Sequence, residues 1–423
     1  MLLFRKILVC SCLLLTAGLC SGAAEAETQQ VSQQAFLKDI VPSALFRDVP
    51  ESADRAATGW GLSENMVSAM AEQDLSEDTV LPMMQREAPD DDSPDSWLWD
   101  DFDAVSPTLT RQELPQAAAA GAALIEVHSG RLLFSSHGSD PLPPASTGKI
   151  LTALLALDVA DDLDRDYQIS QAAAAVEESS VYLQAGEKLS LRELLGGALV
   201  HSGNDACFAI GEAVAGSERL FVHWLNMKAA AMGAYSAHLC NTNGLPAEGH
   251  VISPEDLALI AGAAMENPIF ADIVGGKYIS LGEGDAYRFF KNTNKLLWQD
   301  EHIVGVKTGT TNAAGPCLVA AYEDGAALFL SVVFNSPDRY GESLSLLHYG
   351  ADNYALLALA EQGQALAYAG EHVWRAAENL QVLVEQKQLG QLSLRWSLPD
   401  AAGRYLLQLL DEGGHVLGEW ELV

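Results

Sequence analysis

Three short stretches of this chain carry residue types that can do nucleophilic chemistry. The first is Pro144-Ala145-Ser146-Thr147-Gly148-Lys149, which opens the apolar run Ile150-Leu151-Thr152-Ala153-Leu154-Leu155. Pro143 and Pro144 end whatever precedes it, and the apolar run reads as a buried helix. Ser146 and Lys149 are three residues apart, so a helix sets both side chains on one face about one turn apart. A serine hydroxyl is a poor nucleophile until a base takes its proton. A lysine can be that base when burial or a second cation depresses its pKa. A helix N-terminus adds a positive field and a free backbone N–H. Ser-x-x-Lys also arises by chance, and the plain alternative is a helix cap beside a snorkelling lysine.

The second stretch is His201-Ser202-Gly203-Asn204-Asp205. In a tight Ser-Gly-Asn turn, Ser202 can pass a proton between a base and a leaving amine. Asn204 can hold a lysine and a substrate carbonyl at once, because its amide both donates and accepts. The same residues are the ordinary ones of a helix–helix turn, and His201 reads as a packing histidine. The third stretch, Val306-Lys307-Thr308-Gly309-Thr310-Thr311, reads as a strand. Gly309 leaves room for a ligand backbone alongside. Lys307 and Thr308 can approach one carboxylate, and the charge of Lys307 adds to burial in lowering the pKa of Lys149. The N–H groups of Ser146 and Thr310 together make an oxyanion hole. The alternative is an edge strand with a solvated lysine.

The chain around these stretches has 423 residues, 49% of them hydrophobic, which is ample for two or three domains. Its formal net charge is −33, and such acidity makes nucleic acid and anionic membrane surfaces poor partners. Residues 1–26 read as a secretory signal: Arg5 and Lys6, the apolar Ile7 to Leu19, then the small-residue site Ala24-Glu25-Ala26. Export to the cell envelope or the medium is the expected destination, and an uncleaved signal would serve as a membrane anchor. Bulky Leu19 before Cys20 argues against a lipoprotein. Residues 27–116, with the acidic run Pro89-Asp90-Asp91-Asp92-Ser93-Pro94-Asp95 and the island Trp97-Leu98-Trp99, read as a largely disordered arm. Beyond the signal segment the cysteines are Cys207, Cys240 and Cys317. An odd number in an exported chain leaves at least one free thiol or an intermolecular bond, and each reads as a small buried side chain. No spacing suggests a metal site, and no cofactor is implied.

The elements that must hold these residues are an opening hairpin, a block of helices and a closing set of strands. Ala122 to Val127 and Arg131 to Phe134 pair across His128-Ser129-Gly130. A capping box, Ser190 with Glu193, starts a helix through Val200. Ser217 caps another helix that Gly233 closes, and Ser253 with Pro254 starts a helix through Met265. Strands follow at Ile303 to Lys307, Cys317 to Tyr322 and Ala326 to Phe334, then a helix from about Glu342 to Glu361. Strands at both ends of a helical middle predict an α+β domain over 117–365, an antiparallel sheet covered by helices. The alternating tail, 366–423, reads as a small β module.

Order, spacing and context of the three motifs resemble the penicillin-recognising serine enzymes. Within them the chain looks like a low-molecular-weight D-alanyl-D-alanine carboxypeptidase of the penicillin-binding class. Asn243-Gly244-Leu245-Pro246, Asn292-Thr293-Asn294-Lys295-Leu296-Leu297 and Gly305-Val306-Lys307-Thr308-Gly309 extend the likeness. The resemblance implies a DD-peptidase/β-lactamase-like fold and removal of the terminal D-alanine from peptidoglycan stems ending in D-Ala-D-Ala. It makes Ser146 the acylated nucleophile, Lys149 its base, and Ser202 and Asn204 the proton relay. Lys307, Thr308, Gly309 and Thr310 become the contacts to substrate carboxylate and oxyanion, with β-lactams as covalent inhibitors. A serine β-lactamase shares the motifs, but the Glu-x-x-Leu-Asn run of the most similar class is missing between Asn204 and Lys307. A sensor that acylates without turnover is the other rival, and the full set of catalytic residue types argues against it. The acidic arm and a short acidic tail without a visible amphipathic anchor depart from the family pattern.

Overall fold

The computed structural model describes residues 115–369, 372–396 and 405–422. The signal segment and the acidic arm up to residue 114 lie outside the described residues. The opening hairpin forms as expected, from β1 (Gly121–Glu126) and β2 (Arg131–Ser136). A 3-10 turn, Ala145–Gly148, leads into α1 (Lys149–Val159), which is buried except at Leu157 and Asp158. A helix apolar all round belongs inside a core, and α1 lies there.

Next come β3 (Asp166–Gln168), α2 (Gln171–Ala174) and β4 (Lys188–Ser190). α3 (Leu191–Val200) begins at the predicted capping box: Ser190 Oγ accepts from the Glu193 N–H at 3.2 Å, and the Glu193 carboxylate accepts from the Ser190 N–H at 2.9 Å. Two helices follow, α4 (Asn204–Ala215) and α5 (Glu218–Ala231), the latter capped by Ser217. α6 (Pro254–Met265) and α7 (Pro268–Gly275) both start with proline in the first turn, where its missing N–H costs nothing. A small hairpin, β5 (Tyr278–Leu281) with β6 (Arg288–Lys291), separates the helices from the closing strands. Those are β7 (Ile303–Thr311), β8 (Gly315–Asp324) and β9 (Ala327–Phe334).

The main sheet has the order β2-β1-β9-β8-β7, antiparallel throughout. Every residue of β9 is buried, because helices cover both faces of the sheet. Leu124 turns to one face, where α8 (Arg339–Asn353) brings Leu346 and Leu347 against Phe329 and Leu318. Its neighbour Ile125 turns to the other, where it meets Gly262 of α6. That alternation is the strand period of two. β7 is an edge strand, and the 3-10 turn and α7 pack against it.

One expectation needs correction. The helix predicted through Glu361 stops at Asn353, and Tyr354–Ala360 is a strand, β10. The run Tyr-Ala-Leu-Leu-Ala-Leu-Ala has good helix propensity. Antiparallel pairing with a later strand, Leu380–Glu385, overrides it, since local propensity is a weak prior against tertiary packing. The tail from β10 onward is strand-rich: β11 (Ala365–Ala369), β12 (His372–Arg375), β13 (Leu380–Glu385), β14 (Ser393–Trp396), β15 (Tyr405–Leu410) and β16 (Val416–Leu422). It has a core of its own, in which Leu380, Val384, Leu407, Leu409 and Trp420 meet Ala360 of β10.

Candidate active site

The 3-10 turn, the loop before α4 and the edge strand β7 meet at one point. Lys149 Nζ lies 2.8 Å from Ser146 Oγ, 3.3 Å from Ser202 Oγ and 2.7 Å from Asn204 Oδ1. Lys149 is 0% exposed. The snorkelling-lysine alternative therefore does not describe this turn. Ser146 is not a helix cap either, since no side chain caps the 3-10 turn or α1. Ser202 and Asn204, two residues apart, reach the same nitrogen from the α4 side. The Asn204 amide is itself held, its Nδ2 donating to Glu177 O at 3.1 Å.

Local geometry explains why these side chains converge. Ala145 has φ 50 and Ser202 φ 71, both in the left-handed region that non-glycine residues seldom occupy. Such strain persists where surrounding contacts over-determine it. Around Ala145 the restraint is close packing. A Cβ on Gly244, itself at φ +86, would fall 1.9 Å from the Ala145 carbonyl oxygen. One on Gly309 would fall 3.0 Å from the Ser146 nitrogen. Two glycines thus let the Asn243-Gly244 loop and β7 lie directly against the nucleophile turn. Gly203 serves close approach rather than an unusual backbone angle. Its own φ of −58 is ordinary, but a Cβ there would meet Asp205 Oδ1 at 2.8 Å and Val181 at 3.0 Å.

Asp205 is buried, and its carboxylate accepts from the N–H groups of Val181, Leu183 and Ala206 and from Ser180 Oγ. It ties the loop before β4 to the start of α4, the same loop that supplies Glu177 O to Asn204. His201 packs its ring 4.3 Å from that of Phe290 and makes no contact with Lys149.

On β7, Lys307 is 1% exposed even though the strand is at the sheet edge. Its Nζ donates to Thr308 O at 3.0 Å, so it is not the solvated edge lysine of the alternative reading. Thr308 Oγ1 bonds Thr293 Oγ1 at 2.7 Å. Thr310 is exposed, and its Oγ1 accepts from Arg339 at 2.8 Å. The same guanidinium reaches Gly309 O at 2.8 Å and Cys317 O at 3.2 Å and lies over the ring of Tyr340. Sequence reasoning missed Arg339 and assigned no role to Thr293. Thr293 sits in a stretch that carried the family likeness, but nothing local marks Arg339, thirty residues beyond Gly309.

Burial lowers the pKa of Lys149 to about 8, against the opposing pull of the Asp205 and Glu178 carboxylates. Lys307 is the neighbouring cation, and it is itself held well below its ordinary value by burial first and by repulsion from Lys149 second. Cys207, buried beside the two lysines, has its thiol pushed up to about 12 by burial. All three described cysteines are free; Cys207 and Cys317 are buried as expected, while Cys240 is only half-buried. Among the described residues no group of three or more His, Cys, Asp or Glu side chains is arranged to hold a metal.

Such an arrangement can generate an alkoxide at Ser146 and bind an anion near Lys307 and Arg339. A family model described as D-alanyl-D-alanine carboxypeptidase matches residues 108–338. The D-alanyl-D-alanine carboxypeptidase DacF of Bacillus subtilis is 32% identical over 257 residues, covering 59% of this chain and 66% of that protein. The aligned stretch is thus about two thirds of that relative's length. The D-alanyl-D-alanine carboxypeptidase DacB2 of Mycobacterium tuberculosis is 31% identical, covering 56% of this chain and 84% of its own. The crystal structure of penicillin binding protein 6B from Escherichia coli superposes with a TM-score of 0.62 at 25% identity, over 73% of this chain and 96% of that one.

Proposed function

The chain belongs to the D-alanyl-D-alanine carboxypeptidase family, and on that premise we propose that it removes the terminal D-alanine from peptidoglycan pentapeptide stems through an acyl-enzyme on Ser146. The observation that carries this reading is the set of three side-chain oxygens around one fully buried lysine nitrogen. With a pKa near 8, Lys149 is partly neutral at neutral pH. The neutral amine takes the Ser146 proton, and the alkoxide attacks the carbonyl carbon of the penultimate D-alanine. The oxyanion that forms is met by the N–H groups of Ser146 and Thr310. Lys149 returns the proton through Ser202 to the departing amine, the C–N bond breaks, and free D-alanine leaves. Water then attacks the ester, giving up its proton along the same path, and Ser146 is regenerated.

Lys307, Thr308 and Thr310 take the C-terminal carboxylate, and Arg339 braces Thr310 from behind while adding charge. A carboxylate beside a buried lysine favours the ammonium form, so substrate binding restores to Lys307 the charge that burial disfavours. A β-lactam presents a carboxylate and a strained amide at the same spacing and acylates the same serine. The basic start, apolar core and small-residue site of residues 1–26 support a reading in which this activity is exported. The test is mass spectrometry of a pentapeptide incubated with the purified chain. Free D-alanine and a tetrapeptide in equal amounts, unaffected by a chelator, are expected. Loss of activity with the chelator, or an intact pentapeptide, would refute the reading.

A further inference from the structure

The hairpin β5–β6 has two unlike faces. Ile279 and Leu281 point inward onto Gly196 and Gly197 of α3, and Phe290 covers His201. On the outer face Tyr278 and Phe289 stack with ring centroids 5.2 Å apart, and Trp298 meets Tyr278 edge-on at 6.0 Å. Lys291 Nζ stands 4.3 Å over the Trp298 ring. Tyr278 is 49% exposed, Phe289 59% and Trp298 37%. Single exposed aromatics are ordinary, but two stacked rings on the hairpin, with Trp298 of the following 3-10 turn (Lys295–Trp298) set edge-on against Tyr278, form a preassembled apolar platform. Charge sets it apart too. In a chain of net charge −33, Lys277, Lys291 and Lys295 all lie exposed on or beside this hairpin.

The platform is continuous with the active site. β6 ends at Lys291, and two residues later Thr293 bonds Thr308, a separation of about 7 Å of extended chain. A five-residue stem held by its C-terminal end spans at most about 18 Å, which brings the sugar at its far end within range of the hairpin. Aromatic faces attract the polarised C–H faces of sugar rings, and exposed lysines suit a polymer whose stem peptides carry carboxylates.

We propose that the Tyr278–Phe289–Trp298 face is a docking platform for the glycan strand that carries the stem peptide, with Lys277 and Lys291 meeting carboxylates of neighbouring stem peptides on that strand. The proposal rests on the stem peptide being the substrate. The full chain is assayed for D-alanine release from a free pentapeptide and from the same pentapeptide attached to a tetrasaccharide of cell-wall glycan. The attached substrate is expected to give a kcat/KM about tenfold higher. A chain carrying Tyr278→Ser and Phe289→Ser should lose that preference while its rate on free pentapeptide is unchanged, and Phe289→Tyr, which keeps the ring, should retain it. A wild type without the preference, a double variant that keeps it, or equal loss on both substrates would overturn the proposal. So would loss of binding to phosphatidylglycerol vesicles with the glycan preference intact, since the face would then be a membrane surface. Co-sedimentation with stem-free glycan reads the platform without catalysis. Wild type should pellet and the double variant should not. A chain that pellets but releases no D-alanine refutes the hydrolytic reading and leaves the platform standing.

Discussion

Lys149 at the nucleophile turn and Lys307 on the edge strand are both buried to within 1% of complete, yet their surroundings differ. Lys149 Nζ faces three side-chain oxygens, and the carboxylates of Asp205 and Glu178 pull its pKa upward against burial. The balance falls near 8, where a lysine can both take and return a proton. Lys307 donates to one backbone carbonyl and has Lys149 and Arg339 as charged neighbours, both unfavourable. A lysine so placed gains most when an anion arrives. On the proposed mechanism the same residue type serves for proton exchange where acceptors surround it and for anion binding where cations do. Burial is common to both and decides neither role.

The comparison can be broken at its centre by Ser146→Ala. That variant should lose all covalent labelling by a fluorescent penicillin while remaining folded, and undiminished labelling would place the nucleophile elsewhere. The two lysines are separated by paired substitutions. Lys149→Arg keeps a charge but cannot act as a base, because guanidinium does not deprotonate in this range. It should slow acylation by roughly a thousandfold or more. Lys307→Arg preserves the anion-binding charge and should cost only about tenfold in kcat/KM. Acylation rates in the opposite order would exchange the two roles.

Between those magnitudes lies Gly244→Ala, which touches neither lysine. Its Cβ would fall 1.9 Å from the Ala145 oxygen, at a φ of +86 that disfavours any side chain. Displacing the nucleophile turn by about 1 Å should cost on the order of a hundredfold in acylation. Wild-type rates in this variant would show that the turn is held by something other than its close packing. The mildest perturbation is pH. Only neutral Lys149 accepts the proton, and its pKa is lowered to about 8. Acylation should therefore rise about tenfold per unit up to pH 8 and level off above it. A rate that fell through pH 8 would mean that the ammonium form is the active one.

Much of this was legible before any coordinates. Ser146 and Lys149 are a local pair, and helical geometry alone puts them together, whatever the rest of the chain does. The capping box at Ser190 and Glu193, the proline start of α6 and the apolar runs of strands β1, β8 and β9 are likewise local patterns, and they appear at the predicted places. What needed the tertiary structure was everything set by approach across the fold. Residues 354–360 became a strand because β13 pairs with them. Gly203 is needed for the space beside Val181 and Asp205, which no turn rule specifies. Arg339 joins the site because α8 begins beside β7, thirty residues after Gly309. Sequence spacing gives the types and order of the catalytic groups, since those are fixed within a few residues. The charge state of Lys149 and Lys307 depends on burial and on neighbours far along the chain, and only the packed fold decides it.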